Sequence, residues 1–301
     1  MYKIILLLSI FTLTFAEPIT PLKSIKVEPK KVELGKALFF DTILSKNNSI
    51  SCASCHDLEN GGDDGLKFSF GIDGQQGDIN SPTVYNAVYN FRQFWDGRAK
   101  DLADQATGPV ENPIEMGHNF NNLVKILNKT PYKQKFATIY KDGITKQNIA
   151  NAIAEFEKTL VTLNSPFDKY LNGDNSALSQ DAKDGYKLFK QRGCIACHHG
   201  INIGGNLYNK FGVMQMVDSK RLGRFELTGR EEDKFYFKVP TLRNIDLTAP
   251  YLHDGRYDKL DETVKFMASY QLGRILTEEE IKKIVKFLQS LTGEIPQSAK
   301  R

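Results

Sequence analysis

An all-α fold built as two like halves is predicted by three features of this 301-residue chain. Apolar residues recur at helical spacing in several segments, and few segments alternate as strands do. The pentapeptide Cys-x-x-Cys-His also occurs twice, as Cys52-Ala53-Ser54-Cys55-His56 and Cys194-Ile195-Ala196-Cys197-His198, using every cysteine present.

At this spacing two thiols can form thioether bonds to the vinyl groups of one haem, and the histidine falls beneath the iron as its ligand. Two covalent c-type haems follow, one per half. Other uses of these cysteines fit less well. A four-cysteine zinc site needs no histidine after each pair, and the pairs lie far apart in the chain. A disulfide framework suits small domains without a core, and this chain is long enough to build one.

The elements follow in order. Lys3, an almost unbroken apolar run over residues 4–15 and the tripeptide Thr14-Phe15-Ala16 read as a secretory signal. The run is short for a membrane span. Residues 1–16 are therefore expected to be cleaved, the alternative being a retained anchor. No cysteine follows to carry lipid, and no later run is apolar enough to cross a bilayer, so no stable membrane anchor is expected. Export with covalent haem points to the periplasm. Loss of Lys3 lowers the formal charge from +4 by one, too small a bias to argue for nucleic acid.

Leu34, Leu38 and Phe39 mark a short helix ahead of the first motif, and a Gly-rich stretch over residues 61–77 follows it. Ile149, Ile153, Phe156 and Leu160 share one face of a helix that Thr145 can start. The polar stretch 164–175 is the best boundary, giving an N-terminal domain at 17–170 and a C-terminal domain at 171–301. Ser179 caps a segment that ends in Leu188 and Phe189 and enters the second motif, after which residues 200–212 are Gly-rich. Met267 lies on a short helix near residues 262–269. Thr277-Glu278-Glu279-Glu280 is a capping box, followed by Ile281, Ile284, Val285, Leu288 and Leu291 at helical spacing. Helix, attachment turn, irregular stretch and closing helices thus occur twice. This is the plan of two cytochrome c-like domains, each wrapped around one haem that replaces much of the core.

Function turns on the position opposite each histidine. Methionine there raises the potential and suits electron transfer, whereas an open position suits activation of a ligand. Met267 can close the second haem; Met214 and Met216 are rivals, and buried methionine is often filler. The same spacing picks Met116 for the first haem, which would make the chain a closed di-haem electron carrier. Spacing leaves that reading standing.

Over nearly the whole mature sequence the chain resembles the bacterial di-haem cytochrome c peroxidases. The resemblance is carried by Gly62-Asp63-Asp64-Gly65-Leu66, Asn80-Ser81-Pro82-Thr83-Val84-Tyr85-Asn86-Ala87 and Gln93-Phe94-Trp95-Asp96-Gly97-Arg98-Ala99. It continues through Gln105-Ala106-Thr107-Gly108-Pro109, Glu115-Met116, Leu242-Arg243-Asn244-Ile245 and Leu247-Thr248-Ala249-Pro250-Tyr251, in the family's order.

The resemblance implies reduction of hydrogen peroxide to water with electrons from a small soluble cytochrome c or similar donor, by a homodimer. It makes Met267 the ligand of the electron-transfer haem; the similar MauG-type oxidases carry tyrosine there, so methionine favours peroxidase. It makes Glu115 the catalytic acid–base, Gln105 its polar partner facing peroxide, and Trp95 an electron conduit between the haems. Met116 then packs at the pocket without ligating. One calcium ion is implied between the domains, on Asn80 and the carbonyls of Thr248 and Pro250. His253 is a candidate contact of a haem propionate, with a structural role as its alternative, and His199 has no ligand role.

One position departs from the family pattern. Many members carry a histidine in the loop after the first motif that closes the peroxidatic iron until the other haem is reduced. Here that position is Ile72, which cannot ligate, so the first haem is expected to stay open when oxidised. His118 could substitute as ligand; its alternative is a solvated loop histidine.

Overall fold

In the computed structural model residues 17–300 are described, and the expected signal at residues 1–16 lies outside them. The first half contains α1 (Pro29–Phe40), α2 (Leu102–Glu111), α3 (Phe120–Leu127), α4 (Tyr132–Ala137) and α5 (Lys146–Glu157). The second contains α6 (Pro166–Leu171), α7 (Gln180–Gln191), α8 (Phe225–Thr228), α9 (Leu260–Phe266) and α10 (Glu278–Gln289). Helices begin where side chains can satisfy the free N–H groups of a first turn. Thr145 Oγ1 accepts from Asn148 N at 3.1 Å, and Ser179 Oγ from Ala182 N at 3.2 Å. The capping box forms in both directions, with Glu280 N donating to Thr277 Oγ1 and Thr277 N to the Glu280 carboxylate.

The two halves repeat one packing device. In the first, α1 crosses α5, burying Leu38, Phe39, Ile149, Ile153 and Phe156; the Phe39 and Phe156 rings meet edge to face at 5.2 Å. Gly35 makes the crossing possible, because a Cβ there would collide with the Ala152 carbonyl. In the second, α7 crosses α10 over Tyr186, Phe189, Ile284 and Phe287. Gly185 takes the same role, since a Cβ there would collide with the Lys283 carbonyl. α1 and α7 each lead into a Cys-x-x-Cys-His turn, and α5 and α10 each close the core behind it.

Two features go beyond the helical expectation. β1 (Tyr208–Lys210) pairs antiparallel with β2 (Tyr236–Lys238), Tyr208 opposite Lys238. The polar stretch 164–175 also contains α6, capped by Ser165, whose Phe167 is fully buried in the second core.

The halves are tied together by buried polar groups. Asn86 Nδ2 donates to Thr162 Oγ1 at 2.8 Å, and Asn244 Nδ2 donates to the same oxygen at 2.9 Å. Within the second half Arg243 and Asp168 form a fully buried ion pair at 2.7 Å, and Arg243 ties in the chain before α1 by donating to the Thr20 carbonyl at 3.0 Å. Residues near each chain end pack on the opposite half. Ile19 is buried in the second core, and Ala299 in the first.

Candidate haem centres

Both attachment turns are single 3₁₀ turns, Cys52–Ser54 and Cys194–Ala196. In each, the histidine N–H donates to the carbonyl of the first cysteine at 3.1 Å, which returns the imidazole beneath the turn. No cysteine is in a disulfide. Cys52 packs against the first core and Cys194 against the second, so the four thiols do not converge on one zinc ion. Burial pushes the Cys52 thiol up to about 12 and those of Cys55 and Cys194 to about 11, which disfavours the thiolates that zinc requires.

At the first centre His56 Nδ1 lies 3.1 Å from the Gly62 carbonyl. A carbonyl only accepts, so Nδ1 carries the proton and Nε2 presents its lone pair. Burial holds the ring neutral by lowering its pKa, as an iron ligand requires. Glu115 is the acid of this region. Burial raises its pKa, opposed by the Asn112 amide and the Arg98 charge. Asn112 Nδ2 donates to Glu115 Oε1 at 2.6 Å; Oε2 has no protein partner among the described residues. The charge of Glu115 is also felt at Cys55, whose thiol it pushes up.

Gln105 is half-buried on α2, its side-chain amide without a protein partner among the described residues. The end of α2 adjoins the Glu115 turn, for Met116 N donates to the Pro109 carbonyl and His118 N to the Val110 carbonyl. Met116 is buried in the first core. Ile72 is buried too; its N–H donates to the Glu115 carbonyl at 2.8 Å and its side chain packs on Gly117. The solvated reading of His118 is corrected. The bond to Val110 draws His118 inward between two buried apolar neighbours, Met116 and Phe120, and Asn119 N donates to its Nδ1.

At the second centre a mostly apolar cavity is lined by Cys194, Cys197, His198, Met267 and Trp95. Burial pushes the His198 ring down to about 4, opposed by the backbone of Ile203 and Pro240. Met267 opens a π-helical segment, Met267–Gln271, directly after α9. Such local widening is frequent at functional sites. Met214 and Met216, the rivals for the same iron, are 60% and 89% exposed. Trp95 donates from Nε1 to the Asn80 carbonyl at 2.9 Å, so it joins the first half to this cavity. His253 stacks on Phe237 at 4.3 Å, and its Nε2 meets Ser219 Oγ at 2.9 Å. His199 Nδ1 is turned to the Ile195 carbonyl at 3.2 Å.

Asn80 is buried, and its Nδ2 donates to the Leu66 carbonyl at 2.8 Å, leaving Oδ1 as the acceptor. Gly65, next to Leu66, faces the Ala249 carbonyl, which lies between Thr248 and Pro250. Among the buried ionisable groups to which sequence reasoning gave no role are Asp63, Glu157 and Lys238. Glu157 follows Ile153 by four residues, so the buried stripe of α5 could have revealed it. No local pattern marks Lys238.

The donor sets, the cavity and the buried imidazoles fit two haems. The family model for di-haem cytochrome c peroxidase matches residues 29–176, and that for cytochrome c matches residues 182–292. The chain is 49% identical over 285 residues to cytochrome c551 peroxidase of Nitrosomonas europaea, covering 93% of this chain and 85% of that protein. The chain belongs to the di-haem cytochrome c peroxidase family. A second family member, cytochrome c551 peroxidase of Pseudomonas aeruginosa, is 44% identical over 291 residues, with 93% and 84% covered. Among solved structures, a MauG-like protein associated with microbial copper homeostasis aligns with a TM-score of 0.82 at 25% identity, covering 95% of this chain and 97% of that one. The expected pair of cytochrome c-like domains is thus the family fold, mostly helical with one small sheet.

Proposed function

We infer that this protein is a di-haem peroxidase that reduces hydrogen peroxide to two waters with two electrons from a cytochrome c. The observation that carries the reading is the asymmetry of the two centres. Met267 shares the cavity of His198, whereas the loop beside Glu115 offers Ile72, which has no ligating atom. When bound, haem supplies the iron redox chemistry of oxygen–oxygen cleavage.

The chain's residues supply position and protons. His56 would hold the first haem through Nε2. Glu115 Oε2 would take the proton from one oxygen of peroxide and return it to the other, which leaves as water, while the donor's two electrons and two protons from solvent convert the remaining oxygen to the second water. General acid–base transfer of this kind contributes about 10²–10⁴-fold. Gln105 Nε2 donates a hydrogen bond to the polarised oxygens. Ile72 and Gly117 close the apolar wall beside Glu115. Trp95 links the halves as electron conduit, and His198 with Met267 holds the second haem, which stores one electron.

The reading extends to one calcium ion on Asn80 Oδ1 and the carbonyls of Thr248 and Pro250. Neutral oxygens and waters suffice for calcium, and among the described residues no group of three or more His, Cys, Asp or Glu could hold a metal instead. It also includes a periplasmic homodimer released from residues 1–16; no described helix is long and apolar enough to cross a membrane. The decisive experiment takes the oxidised holoprotein, records its electron paramagnetic resonance, then follows peroxide-dependent oxidation of a reduced cytochrome c without prior reduction. A high-spin ferric signal with turnover is expected. Two low-spin haems and no turnover would make the chain an electron carrier.

A further inference from the structure

Lys238 is a buried cation that no group among the described residues answers. It is 5% exposed at the end of β2. Among the described residues its ammonium makes no hydrogen bond and no ion pair. Other cations near this cavity are accounted for. Arg256 is paired with Asp254 and Arg221 with Glu226 and Asp78, while Lys210 is exposed to solvent. His253, the other titratable side chain against Phe237, is engaged by Ser219.

The lysine is held there by its backbone. Its N–H donates to the Trp95 carbonyl at 2.8 Å, and the strand pairing sets it opposite Tyr208. Its side chain lines the mostly apolar cavity that His198 and Met267 share. A long lysine stem normally carries its ammonium to water, and an unpaired buried ion costs several kcal/mol. An anion received in the same cavity would answer this charge. The molecule attached at Cys194 and Cys197 brings carboxylates of its own.

We propose that Lys238 is the counter-ion of a propionate carboxylate of the second haem, and that the pair raises the potential of that haem. The reasoning is electrostatic. Reduction removes one positive charge from the iron centre, so a nearby cation favours the reduced form and an unneutralised carboxylate favours the oxidised form. The inference rests on haem attachment at Cys194 and Cys197; it does not require peroxide turnover and would stand for an electron carrier.

The test is an optical redox titration of the holoprotein and of Lys238→Met and Lys238→Arg, with the haem-to-protein ratio measured in each. In Lys238→Met the reduced-to-oxidised ratio of the second haem at fixed potential should fall about tenfold, or ~59 mV for one electron. Lys238→Arg should remain near the parent. Lys238→Gln, neutral and polar, replaces Lys238→Met if the latter loses its low-spin methionine-ligated spectrum. A neutral variant that carries two haems, keeps that spectrum and titrates like the parent overturns the proposal, because a merely structural lysine would alter stability without moving the potential. Peptide mass mapping that finds no haem on Cys194 and Cys197 in the parent would instead remove the attachment on which both readings rest.

Discussion

The first and second halves reach their haems by the same crossing of two helices over a glycine, yet they bury different ionisable groups beside them, acids in one and a lysine in the other. In the first, Glu157 is buried on α5 with Oε2 unpartnered, and its charge is felt at Cys52; Glu115 stands near Cys55. In the second, Lys238 is buried, and half-buried His198 and Met267 line the same cavity. On the proposed reading one scaffold serves two tasks. A centre that moves protons needs acids whose charge can change, and a centre that keeps an electron available needs a fixed cation and a soft axial ligand. The halves diverge in a few side chains set around a common backbone plan.

The largest expected effect falls on the first half alone. Glu115→Gln should lower kcat/KM for peroxide by about 10²–10⁴-fold while both haem spectra persist; stopped-flow kinetics measures this. Because burial raises the Glu115 pKa and the reaction needs its carboxylate, parent activity should rise with pH through a value above the ordinary glutamate range. A pH profile unchanged by the substitution would remove Glu115 from proton transfer.

Glu157 gives the next contrast. Burial pushes its carboxyl up to about 8 from an ordinary 4.5. The folded state therefore holds a proton that the unfolded state has released. Stability from this group is fully present below about pH 4.5 and is lost as pH rises towards about 8, an effect on the order of a few kcal/mol. Denaturant titrations of Glu157→Gln across that window should show a shallower decline than the parent. Asp63, raised by burial to about 7, contributes a similar decline, so the slope should lessen without vanishing.

The shared crossing can be tested directly. Gly35→Ala and Gly185→Ala should each destabilise by about 1–3 kcal/mol through overpacking, and the two losses should be alike if the halves are true structural repeats. The smallest effects belong to the caps. Thr145→Ala in the first half and Thr277→Ala in the second should each cost about 1 kcal/mol, read from urea midpoints. Unequal glycine losses beside equal cap losses would show that the two cores differ in how far they can yield.

What the sequence disclosed was local. Thr145, Ser179 and Thr277 cap within three residues of their own position, so their helices could be read directly, as could the two haem motifs. What it concealed depends on distant neighbours. Three-residue strands such as Tyr208–Lys210 carry no usable alternation, and their pairing joins segments far apart in the chain. In the polar stretch 164–175, Ser165 and Pro166 signal a helix start, but Phe167 shows its purpose only against Phe287, at 5.0 Å. His118 sits among glycine and asparagine, which suggests exposure, and only the bond to Val110 draws it inward. Met267 is a candidate from its spacing, but the expected roles of Glu115 and Trp95 are implied by family resemblance alone, because no spacing rule separates a proton-transferring glutamate from a solvated one.

The crossed termini have a practical meaning. Ile19 lies in the core of the later half and Ala299 in that of the earlier one, so the molecule is laced like a clasp with two hooks. A gene cut midway would hand each product the wrong hook, and separately expressed halves should prove poor substitutes for the intact pair.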